Sequence, residues 1–244
     1  MMDNLKIKIP KTIHYCWFGR NPLPSLAIKC IASWKKYLPD YEIKEWNEDN
    51  FDINICPYVK EAYDEGKWAF VSDYVRFYVL KKYGGIYVDT DVEMLKSIDK
   101  LRQNGAFAGF ASDTIIATGL ILCTEENNWL CQKVLNSYDG EHFINDDPAK
   151  ILAIGRRVSA ILEENGLILN GQTQTVNGFT VYEKKYFNST DGDVFTKPDK
   201  EAYSIHHYAA TWFSKKKRFL STLRRIMGQK NMQKYYKLKA WLTK

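Results

Sequence analysis

The chain has 244 residues, of which 45% are hydrophobic, 14% aromatic and 26% charged, a composition that excludes whole-chain disorder, a collagen-like repeat and a small disulfide scaffold. Its five cysteines (Cys16, Cys30, Cys56, Cys123 and Cys131) are scattered without a CxxC pair, which argues against a cysteine zinc site and for a reducing compartment. The net charge of +6 is uneven: residues 213–244 hold 11 Lys and Arg and no acid, whereas the preceding residues hold 24 basic and 29 acidic side chains.

The first strand is expected over residues 12–18, between Pro10 and Gly19. A loop with Asn21, Pro22 and Pro24 leads to a helix over 25–37, which Pro39 and Asp40 end, and residues 41–46 form the second strand. Strand, crossover helix and strand make a right-handed βαβ unit, the start of an α/β sheet. Residues 57–65 read as a short helix and 67–83 as a longer one, with Val71, Val75, Tyr78, Val79 and Lys82 sketching a face. Gly84 and Gly85 supply the left-handed stop that a helix end needs. Residues 86–88 are then a short buried strand, with Asp89-Thr90-Asp91 at its carboxyl end. Further strands are expected over 106–111 and 115–123, helices over 127–138 and 148–165, and a loop with a hairpin over 170–187.

Four groups of residues carry chemistry. Asp89 and Asp91, two apart after an apolar strand, leave the sheet on one side at the end where open α/β sheets bind ligands. The run is either an acidic turn capped by its own backbone or a site where a hard divalent cation relieves the repulsion of two close carboxylates, in which case oxygen ligands select Mn²⁺ or Mg²⁺ over zinc. Asp73 and Arg76, three apart on one helix, are either an ordinary intrahelical ion pair or a carboxylate and guanidinium aimed at a ligand's hydroxyls and phosphate. Trp17, in the run Trp17-Phe18-Gly19, is either core or a flat platform for a nucleobase. In the late run His206-His207-Tyr208-Ala209-Ala210-Thr211-Trp212, the histidines are either ordinary strand residues or one is a third metal ligand, with Thr211 and Trp212 closing over a phosphate.

The ordered set SDxxR, YGGIYxDxD and HHxxxxW, within IPKTIHYCWFGRNPLP, SWKKYLPDYEIKEWNE, AFVSDYVRFYVLKKYGGIYVDTDV and IHHYAATW, resembles the bacterial capsular-polysaccharide members of glycosyltransferase family 32, whose sugar-binding region contains DXD. The catalytic domains of clostridial glucosylating toxins and fungal initiating mannosyltransferases look like relatives. The resemblance implies a GT-A fold, Rossmann-like with a mixed sheet flanked by helices, over residues 1–212, and the charge break near Phe213 sets off a basic helical extension over 213–244. It also implies a nucleotide-sugar donor, Mn²⁺ or Mg²⁺, and retention of anomeric configuration. By motif, Trp17, Phe18, Gly19, Asp73, Arg76, Tyr87, Asp89, Thr211 and Trp212 would bind the donor. Asp89, Asp91 and His206 would hold the metal, and Asp89, Asp91 and Arg76 would be catalytic. No nucleophile for a double displacement is identified; Asp113, Glu125 and Asp146 are unplaced, and a same-face substitution is expected.

In the tail, Phe219, Leu220, Leu223, Ile226 and Met227 form a rough apolar stripe among basic residues, and Tyr235, Leu238, Trp241 and Leu242 repeat it. That pattern suits either an anionic membrane surface or a helical pair packed on the domain with a solvated basic face, and the membrane reading is preferred. A lipid-linked, polyprenyl-diphosphate glycan acceptor and a cytoplasmic, peripheral inner-membrane location follow as expectations, with no nucleic-acid partner. One alternative is a haloacid-dehalogenase-type phosphatase built on Asp89 and Asp91, although that motif should open its domain. Another is a basic adaptor without catalysis.

Overall fold

A computed structural model describes residues 9–143, 153–191 and 196–209. Thr211, Trp212, Asp146 and the whole basic tail lie outside the described residues. The chain opens with β1 (Thr12–Cys16), α1 (Ser25–Tyr37) and β2 (Glu42–Trp46), in which β1 and β2 pair in parallel over their full lengths. Proline and glycine punctuate this unit on each side, and the expected bounds agree with the observed ones to within two residues. Helices α2 (Pro57–Asp64) and α3 (Trp68–Tyr83) follow, and α3 ends at Gly84, whose φ of +61° is the left-handed stop.

From Gly84 the chain passes directly into β3 (Gly85–Tyr87), parallel to β1. The next elements are β4 (Val92–Met94), α4 (Asp99–Gln103), β5 (Ala106–Ser112), β6 (Ile115–Ala117) and β7 (Leu122–Thr124). Then come α5 (Trp129–Asn136), α6 (Ile154–Glu164), β8 (Gln174–Val176), β9 (Phe179–Tyr182) and β10 (Ser204–His206). The main sheet runs β2-β1-β3-β7-β5-β9-β8, with β6 on β5, and β4 pairs with β10 in a separate antiparallel ribbon. Parallel pairing in the first half and antiparallel pairing through β7 make this the mixed α/β class expected from the sequence.

The sheet separates two layers of core. On one face, Cys16, Tyr87, Ala108 and Phe110 pack with Val75, Phe77 and Val79 of α3 and Val134 of α5. On the other, Ile13, Tyr15, Ile86 and Phe107 pack with Trp34 of α1 and Val92 and Met94 of β4. Side chains alternate across a strand, so Tyr87 and the following Asp89 share the α3 side while Ile86 and Val88 face α1.

Two expectations are refined. Helix α3 is buried on most sides, because it lies between the sheet, α2 and α5, and so Tyr74, Phe77 and Leu80 are buried beside Val71, Val75 and Val79, whereas Lys82 of the expected face is exposed. The apolar run 115–123 is two strands, not one. Its break at Thr118-Gly119 is where the Gly119 carbonyl turns to accept the Asp89 N–H at 2.8 Å. Strand β4 and helix α4 were not foreseen; β4 is three residues long and its partner β10 lies 110 residues away.

Candidate active site

Three elements converge at the carboxyl ends of β1 and β3. Asp73 and Arg76 face the sheet from α3, Asp89 and Asp91 leave β3, and Trp17 and Phe18 leave β1. Together they line a cavity of about 580 Å³, a size suited to a small-molecule ligand. Its walls include Trp68 and Phe70 from the start of α3, Pro22 and Pro24 from the loop before α1, and Ala153 to Gly155 at the start of α6.

Arg76 is the hub. It is 4% exposed, so its charge requires partners on every side. Nη1 donates to Thr118 Oγ1 at 2.7 Å and Nε to the Ser72 carbonyl at 3.3 Å. Nη2 lies 2.9 Å from Asp73 Oδ1 and 3.4 Å from Asp89 Oδ1. The guanidinium also stacks over the Tyr87 ring at 4.8 Å, and the Tyr87 hydroxyl donates to Asp89 Oδ1 at 3.0 Å. The Asp73–Arg76 pair is therefore an inward-facing part of the cavity and not a solvated surface pair.

One guanidinium serves two carboxylates, which leaves the group one negative charge in excess. Burial pushes the Asp73 carboxyl up to about 7, against the pull of Arg76. Burial likewise raises Asp89; Arg76 opposes this and the neighbouring Asp91 adds to it. Arg76 loses hydration on burial, but Asp89, Tyr87 and Asp73 hold its proton more tightly than usual.

Asp91 stands apart from that group. Its Oδ1 is 3.2 Å from His206 Nε2, and its Oδ2 accepts the Ala209 N–H at 2.8 Å. Burial alone would raise its carboxyl, yet these two contacts outweigh it and hold Asp91 below the usual carboxylate range. His206 reaches Asp91 from behind and does not itself line the cavity.

The aromatic end of the cavity is built around a glycine. Gly19 has φ +92°, its N–H donates to Glu48 Oε1 at 2.6 Å, and a Cβ there would stand 2.6 Å from the Trp68 ring. The indole of Trp17 is fixed by its N–H, which donates to the Asn21 carbonyl at 2.6 Å. Phe18 is buried edge-on against Phe51. Of the unplaced carboxylates, Asp113 sits in the exposed turn between β5 and β6 and Glu125 bonds Asn128; neither lines the cavity.

The donor chemistry suits a hard cation shared with a ligand. Asp91 and Asp89, two residues apart, both line the cavity, and among the described residues no group of three His, Cys, Asp or Glu is arranged to hold an ion alone. Mg²⁺ and Mn²⁺ fit such a site, because they are commonly held by one or two carboxylates and completed by phosphate and water.

Three residues of the site were not singled out from the sequence. Trp68 forms a wall, Thr118 takes the Arg76 guanidinium, and a Cβ on Gly119 would lie 1.8 Å from Asp89 Oδ2. The available signal was the Thr118-Gly119 pair interrupting an apolar run.

Comparison with known proteins adds to this geometry. Residues 24–108 match the family described as glycosyltransferase sugar-binding region containing DXD motif. Inositol phosphoceramide mannosyltransferase 3 of Schizosaccharomyces pombe is 30% identical over 138 residues, covering 55% of this chain and 38% of that protein. An uncharacterized glycosyltransferase, L373, of Acanthamoeba polyphaga mimivirus is 32% identical over 105 residues, covering 41% of this chain and 42% of that one. The chain thus spans about two-fifths of the length of these curated relatives. Among solved structures, the PaToxG glycosyltransferase superposes with a TM-score of 0.49 at 23% identity, over 64% of this chain and 70% of that one. The matched residues 24–108 carry Asp73, Arg76, Asp89 and Asp91, so it is this part of the chain that is similar to the glycosyltransferase family whose sugar-binding region contains the DXD motif.

Proposed function

We propose that this protein transfers a hexose or N-acetylhexosamine from a nucleotide diphosphate sugar, with UDP as the nucleotide, to a glycan acceptor. The observation that carries the proposal is the meeting of Asp73, Arg76, Asp89 and Asp91 in one cavity with an aromatic wall. The aromatic end, with Trp17, Phe18 and Trp68, offers flat apolar surface for a base, and the acidic end offers acceptors for sugar hydroxyls. The mannosyltransferase relatives support a hexosyl donor.

Among the described residues that line the cavity Arg76 is the one cation, against Asp73, Asp89 and Asp91. A diphosphate would meet net repulsion in that cavity, which supports a requirement for Mn²⁺ or Mg²⁺. Asp91, with Asp89 beside it, would hold the ion, and His206 would orient Asp91 from behind. When bound, the ion supplies positive charge opposite the leaving diphosphate.

The chain's own residues do the rest. Arg76 neutralises Asp89, and Tyr87 donates to the same oxygen, so Asp89 is held in one orientation. Asp73 faces the cavity and accepts sugar hydroxyls when ionised. The rings of Trp17, Phe18, Trp68 and Phe70 give the cavity its apolar wall. The catalytic contribution is charge complementarity and positioning, and no cavity-lining carboxylate apart from these three is available as a nucleophile among the described residues. Retention of configuration is carried over from the family resemblance, and within that class the lack of such a nucleophile supports a same-face substitution.

A lipid-linked acceptor such as a polyprenyl diphosphate glycan, a capsular or surface polysaccharide product, and a peripheral position at the inner membrane remain part of the proposal, on the sequence of the tail. Incubation with a panel of nucleotide sugars, with and without Mn²⁺, tests it. Metal-dependent release of nucleotide diphosphate is the expected result. Hydrolysis of a simple phosphate ester without turnover of any nucleotide sugar would replace it with the phosphatase alternative.

A further inference from the structure

Asp91 is gripped from behind by His206, His207 and Ala209, in the segment 206–209 that begins at the end of β10. His206 Nε2 and the Ala209 N–H meet its two carboxylate oxygens at 3.2 and 2.8 Å. The His207 N–H donates to its carbonyl at 2.9 Å. Side chain and peptide of Asp91 are thus both set by this strap.

The strap does not hold itself. It passes beyond the ribbon pairing at His206, and Tyr208 adopts φ +46°, an unfavourable conformation for a residue with a side chain. Two anchors keep it down. On one side the Tyr208 hydroxyl accepts from Asn188 Nδ2 at 2.7 Å, and the Tyr208 ring packs on His206 with centroids 3.9 Å apart. On the other, His207 Nε2 is 2.9 Å from Glu93 Oε2, and the same oxygen receives Lys29 Nζ of α1 at 2.9 Å.

Glu93 lies two residues beyond Asp91, and its register partner in the ribbon is Ile205, two residues before His207. A carboxylate only accepts, so His207 must carry its proton on Nε2 to make this bond. With the imidazole held there, the backbone N–H of the same residue is aimed at the Asp91 carbonyl. Burial works against the Glu93 charge, but Lys29 and His207 outweigh it and keep the carboxyl ionised.

We infer that Glu93 is a positioning residue for the transfer reaction: by holding His207 it seats the 206–209 strap, and the strap orients Asp91. The inference rests on the glycosyl-transfer reading for its functional consequence and on the contacts alone for its structural one. Glu93 does not line the cavity and touches no reacting atom.

The test compares Glu93→Ala, Glu93→Gln, His207→Ala and the Glu93→Ala/His207→Ala double variant. Two readouts are used: steady-state kinetics with the nucleotide sugar that the wild type turns over, and amide hydrogen exchange of the peptide covering residues 204–209. Glu93→Ala should lower kcat/KM roughly 10-fold, raise the Mn²⁺ concentration for half-activation, and speed exchange at the strap. Glu93→Gln should recover to within about 3-fold of wild type and keep the strap protected, because its amide oxygen still accepts from His207. The double variant should be no worse than Glu93→Ala, as expected for two residues acting through one contact.

Normal kinetics in Glu93→Ala would overturn the inference. So would a Gln variant as impaired as the Ala variant, which would assign the effect to charge rather than placement. Should Glu93→Ala fail to fold, His207→Ala carries the same expectation. If the wild type turns over no nucleotide sugar, the glycosyl-transfer reading fails by itself, and unchanged exchange in Glu93→Ala would separately sink the strap.

Discussion

Gly119→Ala is a substitution whose effect can be worked out atom by atom. Gly119 does not occupy the left-handed region, so alanine suits its backbone. The added Cβ, however, would stand 1.8 Å from Asp89 Oδ2 and 2.6 Å from Asp89 Cγ. The obstacle is the end of a side chain, which can rotate away, so the fold should persist with a small loss of thermal stability. What is lost is the placement of Asp89: it leaves the Tyr87 hydroxyl at 3.0 Å and the Arg76 guanidinium at 3.4 Å. A hydrogen bond to a charged group contributes about 1.5–3 kcal/mol, so kcat/KM for donor turnover should fall roughly 10- to 150-fold. Gly109→Ala is the comparison, because its Cβ would press on the Phe187 ring at 2.4 Å, in the core opposite α3 and away from the cavity lining. It should lower the midpoint of thermal unfolding without a specific loss of donor turnover. Wild-type kcat/KM in Gly119→Ala would refute the claim that Asp89 must stay on Tyr87 and Arg76.

Other substitutions follow from the same contacts. Arg76→Met strands Asp73 and Asp89 beside each other without a cation and should cost about 3–5 kcal/mol by denaturant unfolding, the usual penalty for breaking a buried ion pair. Arg76→Lys should not rescue turnover, since one ammonium cannot reach Thr118, Asp73 and Asp89 in the geometry of a planar fork. The Asp73 carboxyl, raised to about 7 by burial, takes up its proton on folding. Its contribution to stability is therefore present below the unfolded carboxylate range and is lost as pH rises from about 4 through 7. Asp73→Asn should flatten that part of the stability–pH curve, and an unchanged slope would contradict the assignment. Gly19→Ala forces a Cβ into the Trp68 ring at an unfavourable φ of +92°, so it should raise KM for the donor more than it lowers kcat.

The parts of this fold that could be read from the sequence are those punctuated locally. Pro10, Gly19, Pro24, Pro39 and Gly84 bracket β1, α1 and α3, and the carboxylates of the DXD run fell at the strand end where they were expected. The obscured parts depend on distant partners. Strand β4 is only three residues long and is stabilised by β10, and the run 115–123 looks continuous because Leu120 and Ile121 are buried although they belong to neither strand. Spacing placed Asp73 and Arg76 on one helical face but did not say that this face is buried. The reason lies in Thr118 and Tyr87, which surround the guanidinium from elements remote in sequence. Likewise the pairing of His206 with Asp91 needs the β4–β10 register, which no local pattern records.

Calorimetric titration of the nucleotide sugar into wild type and Asp91→Ala, each with and without Mn²⁺, addresses the centre of the account. Donor binding that strengthens with Mn²⁺ in the wild type, and loses that dependence when Asp91 is removed, is the predicted result. Equal Mn²⁺-dependent binding by both proteins would contradict it.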